Sequence, residues 1–448
     1  MIPCVLHRAG RQMARAGVVL LAVMLLLPLA GCHLDSPAPE PPSDAPPLNP
    51  DVSSEPVTLE VWLSLDFVTP PSLFDEMAAD FEKAYPNVNV NIQGSVYQSI
   101  PGRVKVALQV GSPPDVVQAH VAAMAAQGFA EPLDNLWAEW DEERNFLPQA
   151  MEQVIWDNVK YGVPLDIYTL VLIYNKAHFD EARLPYPDAG YTWLQFAQDA
   201  TALTRKDKSR YGVGFTTEPW HVFAWVAEAG GNVMTGDSFI GYRFTLDDSN
   251  NIEGLRFLTS MARNGYGPLP TTRPRDYEDP RKLFLAGKIA MYFGTPGDIH
   301  YIVTHAADFP LGVTELPKTP AGAGAASALG TTGLFVPRGS RHRQVAFEFM
   351  KWATSDRYAL PMARQLGRYP ARTWLQSTPH FAGDPLLKPF LIQLTAARPY
   401  LLDAFPEVER AYADAIKAAF YGADPADALR QAQEQADHYA ERKSGTSK

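Results

Sequence analysis

Cys32 is the residue best placed for chemistry. It ends the run Leu29-Ala30-Gly31-Cys32, at the close of a short apolar segment. Small residues before a cysteine suit a peptidase that cuts ahead of it and leaves the thiol to carry lipid. The only other cysteine, Cys4, lies on the side that such a cut removes. The remaining body then has no disulfide, no cysteine nucleophile and no cysteine-based metal site. Other reactive constellations are missing. There is no zinc-protease H-E-x-x-H, no phosphate loop of the G-K-[ST] type and no G-x-S-x-G elbow. The ten histidines are scattered. Asp247-Asp248 and Glu142-Glu143 are acid pairs, but sequence neighbours diverge on a helix or strand. They read as solvated faces rather than as paired catalytic carboxylates.

The flanks of Cys32 support its reading. His7, Arg8, Arg11 and Arg15 form a basic start with no acid among them, and Val18 to Ala30 is apolar. That apolar run is shorter than the ~20 residues of a membrane-spanning helix. Met13 to Cys32 is a complete signal by itself. Residues 1–31 are thus expected to be a lipoprotein signal peptide, with Cys32 lipidated. His33 to Pro56 holds eight prolines and no aromatic residue. Proline fixes φ and lacks an amide donor, so this stretch is expected to be an extended tether. At ~3 Å per residue its reach is roughly 70 Å.

Charge narrows the partners. The chain carries −11; the signal removes three arginines and no acid, giving −11 − 3 = −14. That disfavours nucleic acid and direct adhesion to anionic lipid. Hydrophobic residues at 46% and charged residues at 20% describe an ordinary globular body.

The body reads as alternating strands and helices. Val57, Leu59, Val61 and Leu63 alternate with polar neighbours, which predicts a strand. Ser72 can cap a helix carrying Phe74, Met77, Ala78 and Phe81 at helical spacing. Val88, Val90 and Ile92 predict a second strand, Arg103 to Val110 a helix, and Pro114 to Val117 a third strand. This βαβα order predicts an α/β fold with a largely parallel sheet. The pattern restarts near Tyr161. A long apolar strand is expected over Thr169 to Tyr174, then a helix capped by Thr192, a strand at Tyr211 to Phe215 and a helix at Trp220 to Ala229. Ile289 to Phe293 and Gly333 to Pro337 predict strands, and Arg343 to Thr354 a helix. Val408 to Arg442 is expected to be helical, with a break at Gly422 and Pro425. Pro320 to Gly330, rich in Ala and Gly, is expected to be a mobile surface loop. Its Gly322-Ala323-Gly324 lacks the strand, helix and acid of a dinucleotide site.

The order of these pieces resembles a known family. Leu59-Glu60-Val61-Trp62, Phe81-Glu82-Lys83-Ala84-Tyr85-Pro86-Asn87-Val88 and Gly111-Ser112-Pro113-Pro114-Asp115-Val116-Val117 are similar to its opening strands and helix. Tyr161-Gly162-Val163-Pro164, Ile173-Tyr174-Asn175-Lys176 and Thr192-Trp193 resemble its crossing strand and the helix that follows. Phe284 to Gly294 and Ala346-Phe347-Glu348-Phe349 resemble its later segments. The family is the extracellular solute-binding proteins of ABC importers, in the branch that binds sugars, oligosaccharides and related polyols. The resemblance spans nearly the whole body. It implies a two-lobe periplasmic-binding-protein-like fold with an interlobe ligand cleft. Lobe one would take 57–165 and 288–333, lobe two 166–287 and 334–443, and 444–448 would be a disordered tail.

A sugar offers apolar C–H faces and a ring of hydroxyls, so it wants aromatic platforms and directional hydrogen bonds. By resemblance, Trp62, Tyr97 and Gln118 would line the cleft from lobe one, with His120 following. Asp166, at the crossing, would accept two hydroxyls, with Tyr168 beside it. Trp220 would stack on ligand, whereas Trp225, five residues on, lies off that helix face. Gly231, Gly294 and Gly330-Thr331 would let backbone approach ligand closely. Arg368 and Tyr369 would come from a late Gly-x-x-Pro turn, where an arginine fork can hold a carboxylate, phosphate or vicinal diol. The chain departs from the family at Thr295-Pro296-Gly297-Asp298, which has no tryptophan, and near Tyr412, where maltose binders carry one. This argues against a long malto-oligosaccharide and leaves a small sugar, a sugar acid or a glycerol phosphodiester. The implied partners are a carbohydrate-type ligand, the permease subunits of an ABC transporter and, through Cys32, the membrane. The resemblance implies a monomer with no cofactor, no metal and no catalysis. An exported carbohydrate-active enzyme and a sensory protein signalling to a membrane partner are the alternatives.

Overall fold

The computed structural model describes residues 55–65, 72–236, 241–271, 276–319 and 326–444. The signal, Cys32 and all but the last two residues of the tether lie outside them, as do residues 445–448 of the expected tail 444–448; Ser444 ends helix Pro425–Ser444. Strand Val57–Ser64 buries Leu59, Val61 and Leu63 completely, as its alternation demands. It pairs in parallel with Val88–Ser95 along its whole length. The parallel pair needs a crossover, and helix Leu73–Ala84 supplies it. The side-chain oxygen of Ser72 accepts the Asp75 amide, and Phe74, Met77 and Phe81 pack inward. Val116–Ala119 adds in parallel on the other edge. Gly333–Phe335 and then Gly162–Pro164 complete five strands, each antiparallel to the one before.

A second sheet is built around Val171–Asn175. It lies between Leu311–Thr314 and Ile289–Gly294, both antiparallel to it, and Tyr211–Val213 pairs in parallel with the latter. Both faces are covered. Val171 and Ile173 join one apolar cluster, Leu172 and Tyr174 the other. Helix Trp193–Leu203 flanks this sheet, started by a capping box in which Thr192 and Gln195 satisfy each other's backbone. Helices Ser249–Arg263, Pro406–Phe420 and Pro425–Ser444 pack together on the same lobe. These pairings correct the expected lobe bounds. Strands Ile289–Gly294 and Leu311–Thr314 hydrogen-bond to Val171–Asn175, so they belong to the second lobe. Helix Arg343–Ala353 packs on helix Leu73–Ala84, and so belongs to the first.

Between the two sheets lies a third set of strands that carries the chain across. Asp166–Thr169 pairs antiparallel with Ser327–Gly330 on one side and with Tyr369–Pro370 on the other. Ala397–Pro399 adds in parallel beyond Ser327–Gly330. Two expectations change here. The apolar run from Thr169 to Tyr174 is one strand in pattern but two in space: it breaks at Leu170, and its halves serve different sheets. The end of the Ala/Gly-rich segment, Ser327–Gly330, is a fully buried strand; residues 320–325 lie outside the description. No helix of the described residues is long and apolar enough to cross a membrane.

Candidate functional site

His120 leaves the carboxyl end of strand Val116–Ala119, where open α/β sheets place ligand-facing groups. Its Nδ1 lies 2.6 Å from Oδ2 of Asp403, and its Nε2 lies 3.1 Å from the Tyr168 hydroxyl. Burial opposes a charge on the ring. The Asp403 hydrogen bond and charge outweigh it, so the His120 pKa is raised. Tyr97 meets the imidazole edge-on, with ring centroids 5.7 Å apart. Tyr168 meets Trp220 in the same way at 5.2 Å, and the indole N–H of Trp220 donates to the Leu329 carbonyl. Burial, then neighbouring negative or phenolic groups, pushes the Tyr97 and Tyr168 phenols up, so both stay protonated donors.

Gly330 is what lets Tyr168 sit there. The two residues pair across the crossing strands, and a Cβ on Gly330 would lie 2.1 Å from the Tyr168 ring. The next residue, Thr331, is buried with its hydroxyl unpartnered. It lines a small cavity together with His120, Tyr400 and Asp403. Tyr97, Tyr168, Trp220 and Thr331 therefore come together, from both lobes and from the crossing strands.

Asp166 and Gln118 serve the crossing itself. The Thr332 amide and hydroxyl donate to Asp166 Oδ1 at 2.8 and 2.7 Å. The Gln118 amide donates to Thr332 Oγ1 at 3.0 Å, while its oxygen accepts the Ser64 amide. Arg368 brings Nη1 to 3.6 Å from Asp166 Oδ2. Burial raises the Asp166 pKa despite the Arg368 charge and the Thr332 hydrogen bonds. Asp166 and Gln118 are both fully buried at the join of the strands; Gln118 spends both ends of its amide there, whereas among the described residues Asp166 Oδ2 accepts no hydrogen bond and faces only Arg368.

Four further candidates have packing partners. Trp62 lies on the sheet face beneath helix Ile100–Gln109, with the Arg103 guanidinium 4.2 Å over its ring. Gly231 is required by Asn251, whose side-chain oxygen would lie 2.1 Å from a Cβ. Gly294 makes room for Ile173 on the adjacent strand. Tyr369 is a core residue, its ring 4.6 Å from Phe381 and 4.3 Å from Phe390. Trp225 is core as well, stacked on Phe293 at 4.3 Å.

Asp403 and Tyr400 were not singled out by the sequence. Asp403 lies in the short turn Leu402–Ala404, which has no periodicity to mark it. Glu409 and Glu218 are likewise new; the Tyr400 hydroxyl donates to Glu409 at 3.2 Å. Among the described residues no three His, Cys, Asp or Glu side chains gather to hold a metal ion.

Comparison with known proteins places this geometry. An ABC substrate-binding protein from Listeria monocytogenes in complex with cycloalternan has a TM-score of 0.75 to this chain at 20% identity. The match covers 86% of this chain and 99% of that one. UgpB from Mycobacterium tuberculosis, in complex with glycerophosphocholine, has a TM-score of 0.74 at 21% identity, covering 87% and 100%. The two-lobe fold is shared with both. In sequence, a maltotriose-binding protein from Pyrococcus abyssi (strain GE5 / Orsay) is 23% identical over 332 residues, 71% of this chain and 67% of that protein. The model of the bacterial extracellular solute-binding proteins matches residues 68–360, more than half of the chain. The chain belongs to the bacterial extracellular solute-binding protein family.

Proposed function

We propose that this protein is the substrate-capturing component of an ABC importer. It takes a sugar, oligosaccharide or related polyol between its lobes and hands it to the membrane permease. The observation that carries this is the gathering of Tyr97, Tyr168 and Trp220 around the His120–Asp403 pair, beside the crossing strands. Aromatic faces suit sugar C–H groups, and the phenols, the imidazole and the Thr331 hydroxyl suit sugar hydroxyls. Strands that cross between lobes at few points are a natural hinge, so ligand can close the lobes upon itself.

Capture rather than catalysis fits the carboxylates of the site. Asp166 Oδ1 is held by Thr332 and Asp403 by His120, so both carboxylates are engaged with the protein rather than set as a facing acid–base pair. Lipid on Cys32 would hold a monomeric receptor near its transporter, and the proline-rich tether would set the reach. A Cys32→Ala form should leave the membrane and still bind ligand.

A thermal-shift screen over small sugars, sugar acids and glycerol phosphodiesters tests the reading. Ligand at one hundred times its Kd stabilises by ~2.7 kcal/mol, which such a screen resolves. Silence across all three classes would overturn it.

A further inference from the structure

Three rings fasten the lobes to each other beside the cleft. In the first lobe, strands Ile155–Trp156 and Val159–Lys160 form a hairpin turned by Asp157 and Asn158, at φ 52° and 62°. Both residue types tolerate the left-handed region, and two of them in a row make a tight turn that matches the twist of the strands. The Leu133 amide donates to the Lys160 carbonyl and the Ala122 amide to the Gln153 carbonyl, so the hairpin is tied to its own lobe. Its Trp156 reaches the second lobe and stacks on Tyr242, with ring centroids 4.9 Å and planes 24° apart. Phe405 meets these two rings edge-on at 6.1 and 5.8 Å. It continues into the second lobe through Phe244 at 5.2 Å and Tyr439 at 6.1 Å.

From this cluster the contacts between lobes run in a row. Phe405 lies two residues after Asp403, which meets His120; Tyr97 packs on His120 and is followed by Gln98. The row ends where the exposed Gln98 side-chain amide donates to the Tyr277 hydroxyl of the second lobe at 3.1 Å. Tyr277 is itself firmly placed. Its neighbour Asp276 accepts the amide and the hydroxyl of Thr217, each at 2.7 Å, and its ring stacks on His221 at 5.6 Å. The two ends of the row differ in what water can replace. An exposed hydrogen bond exchanges for hydrogen bonds to water at little net cost. Parting stacked rings puts apolar area into water, which offers nothing in return.

We propose that the lobes part at Gln98 and Tyr277 while Trp156, Tyr242 and Phe405 stay joined. The three rings, with the crossing strands, are then the pivot, and the way into the cleft runs between Tyr97–Gln98 on one lobe and Tyr277–His221 on the other. This deepens the sugar-capture reading and rests on it for what enters. The His120–Asp403 pair stands between pivot and mouth, so it limits the swing without barring the entrance.

Spin-label distances on the unliganded full chain test this. Cys4→Ser and Cys32→Ala clear the native thiols. Lys105→Cys with Lys282→Cys then spans the mouth, from helix Ile100–Gln109 to helix Glu278–Leu285. Glu152→Cys with Arg243→Cys spans the pivot, from helix Pro148–Glu152 to strand Arg243–Phe244. The mouth pair should give a second, longer distance and the pivot pair a single one. Tyr277→Phe removes the acceptor of Gln98, so it should raise the share of the longer mouth distance and leave the pivot distance unchanged. Trp156→Ala should give the pivot pair a longer distance of its own; the comparison of the two pairs without it decides the matter if that variant does not fold. A single distance at both pairs, or a second distance at the pivot while Trp156 is in place, would overturn the inference. Sugar capture would still stand, because it falls only to a silent ligand screen.

Discussion

His120 and Asp403 meet at 2.6 Å from opposite lobes. One closes a strand of the first sheet; the other precedes a helix packed on the second lobe. The pair therefore ties the lobes together at the wall of the cleft, and its strength depends on the charge of His120. The raised pKa of His120 gives the sign. A basic group raised by its partner stabilises that contact fully below its ordinary value of 6.5 and loses the contribution as pH rises through the raised one. Glu409 and Asp166 also face the ring and act in the same direction. The unliganded protein should be more closed near pH 6 than near pH 9. Small-angle scattering should record a larger radius of gyration at the higher pH. A His120→Gln form should give a flat profile, and a wild-type profile equally flat would defeat the expectation.

Thr332 is predicted to hold the crossing strands through Asp166. Thr332→Val keeps the shape but removes the hydroxyl that donates to Asp166 Oδ1 and accepts from Gln118. Two buried polar groups then lose a partner, at a cost of about 1–3 kcal/mol. Urea unfolding reads this directly. A loss below about 0.5 kcal/mol would mean that the clasp contributes little to the fold.

What the sequence could disclose was local. Alternation from Val57 to Leu63 marked the first strand, and Ser72 and Thr192 marked helix starts, because those signals lie within a few residues. The site depends on distant partners. His120 and Asp403 are 283 residues apart, and no spacing rule joins them. Gly330 could be read as a place of close approach, but what approaches is the Tyr168 ring from the paired strand. Likewise the Gly-x-x-Pro pattern around Tyr369 could not show that this residue pairs with the crossing strand and is packed by Phe381 and Phe390. The break at Leu170 was hidden for a related reason: an apolar run shows that both sides are covered, not that two sheets cover them.

The two tryptophans of helix Pro219–Glu228 should separate function from stability. Trp225 is stacked on Phe293 and packed against Trp193 and Phe257. Trp225→Ala should cost about 3–5 kcal/mol in unfolding free energy, because it leaves a cavity among rings that cannot collapse onto it. Trp220 is half-buried beside Tyr168 and donates one hydrogen bond. Trp220→Ala should cost less stability while lowering the affinity for an identified ligand about tenfold or more. Equal destabilisation with unchanged affinity would remove Trp220 from the site.

Glu228, at the end of the same helix, makes the stability of the fold depend on pH. Its side chain is fully buried. Burial pushes its carboxyl from 4.5 up to about 9, against the opposing pull of Lys318, Arg398 and the Ala326 amide. The unfolded chain ionises this group near its ordinary value, whereas the folded chain keeps it protonated to much higher pH. Folding therefore takes up a proton across that window, and the contribution of Glu228 to stability is lost as pH rises through it. The slope is at most about 1.4 kcal/mol per pH unit. Glu228→Gln removes the titration and keeps the shape. The variant should gain on the wild type steadily from pH 5 to pH 8, measured by urea unfolding at each pH. A difference that stays constant over that range, or narrows toward pH 8, would show that Glu228 is ionised in the folded protein and is matched there by Lys318 and Arg398.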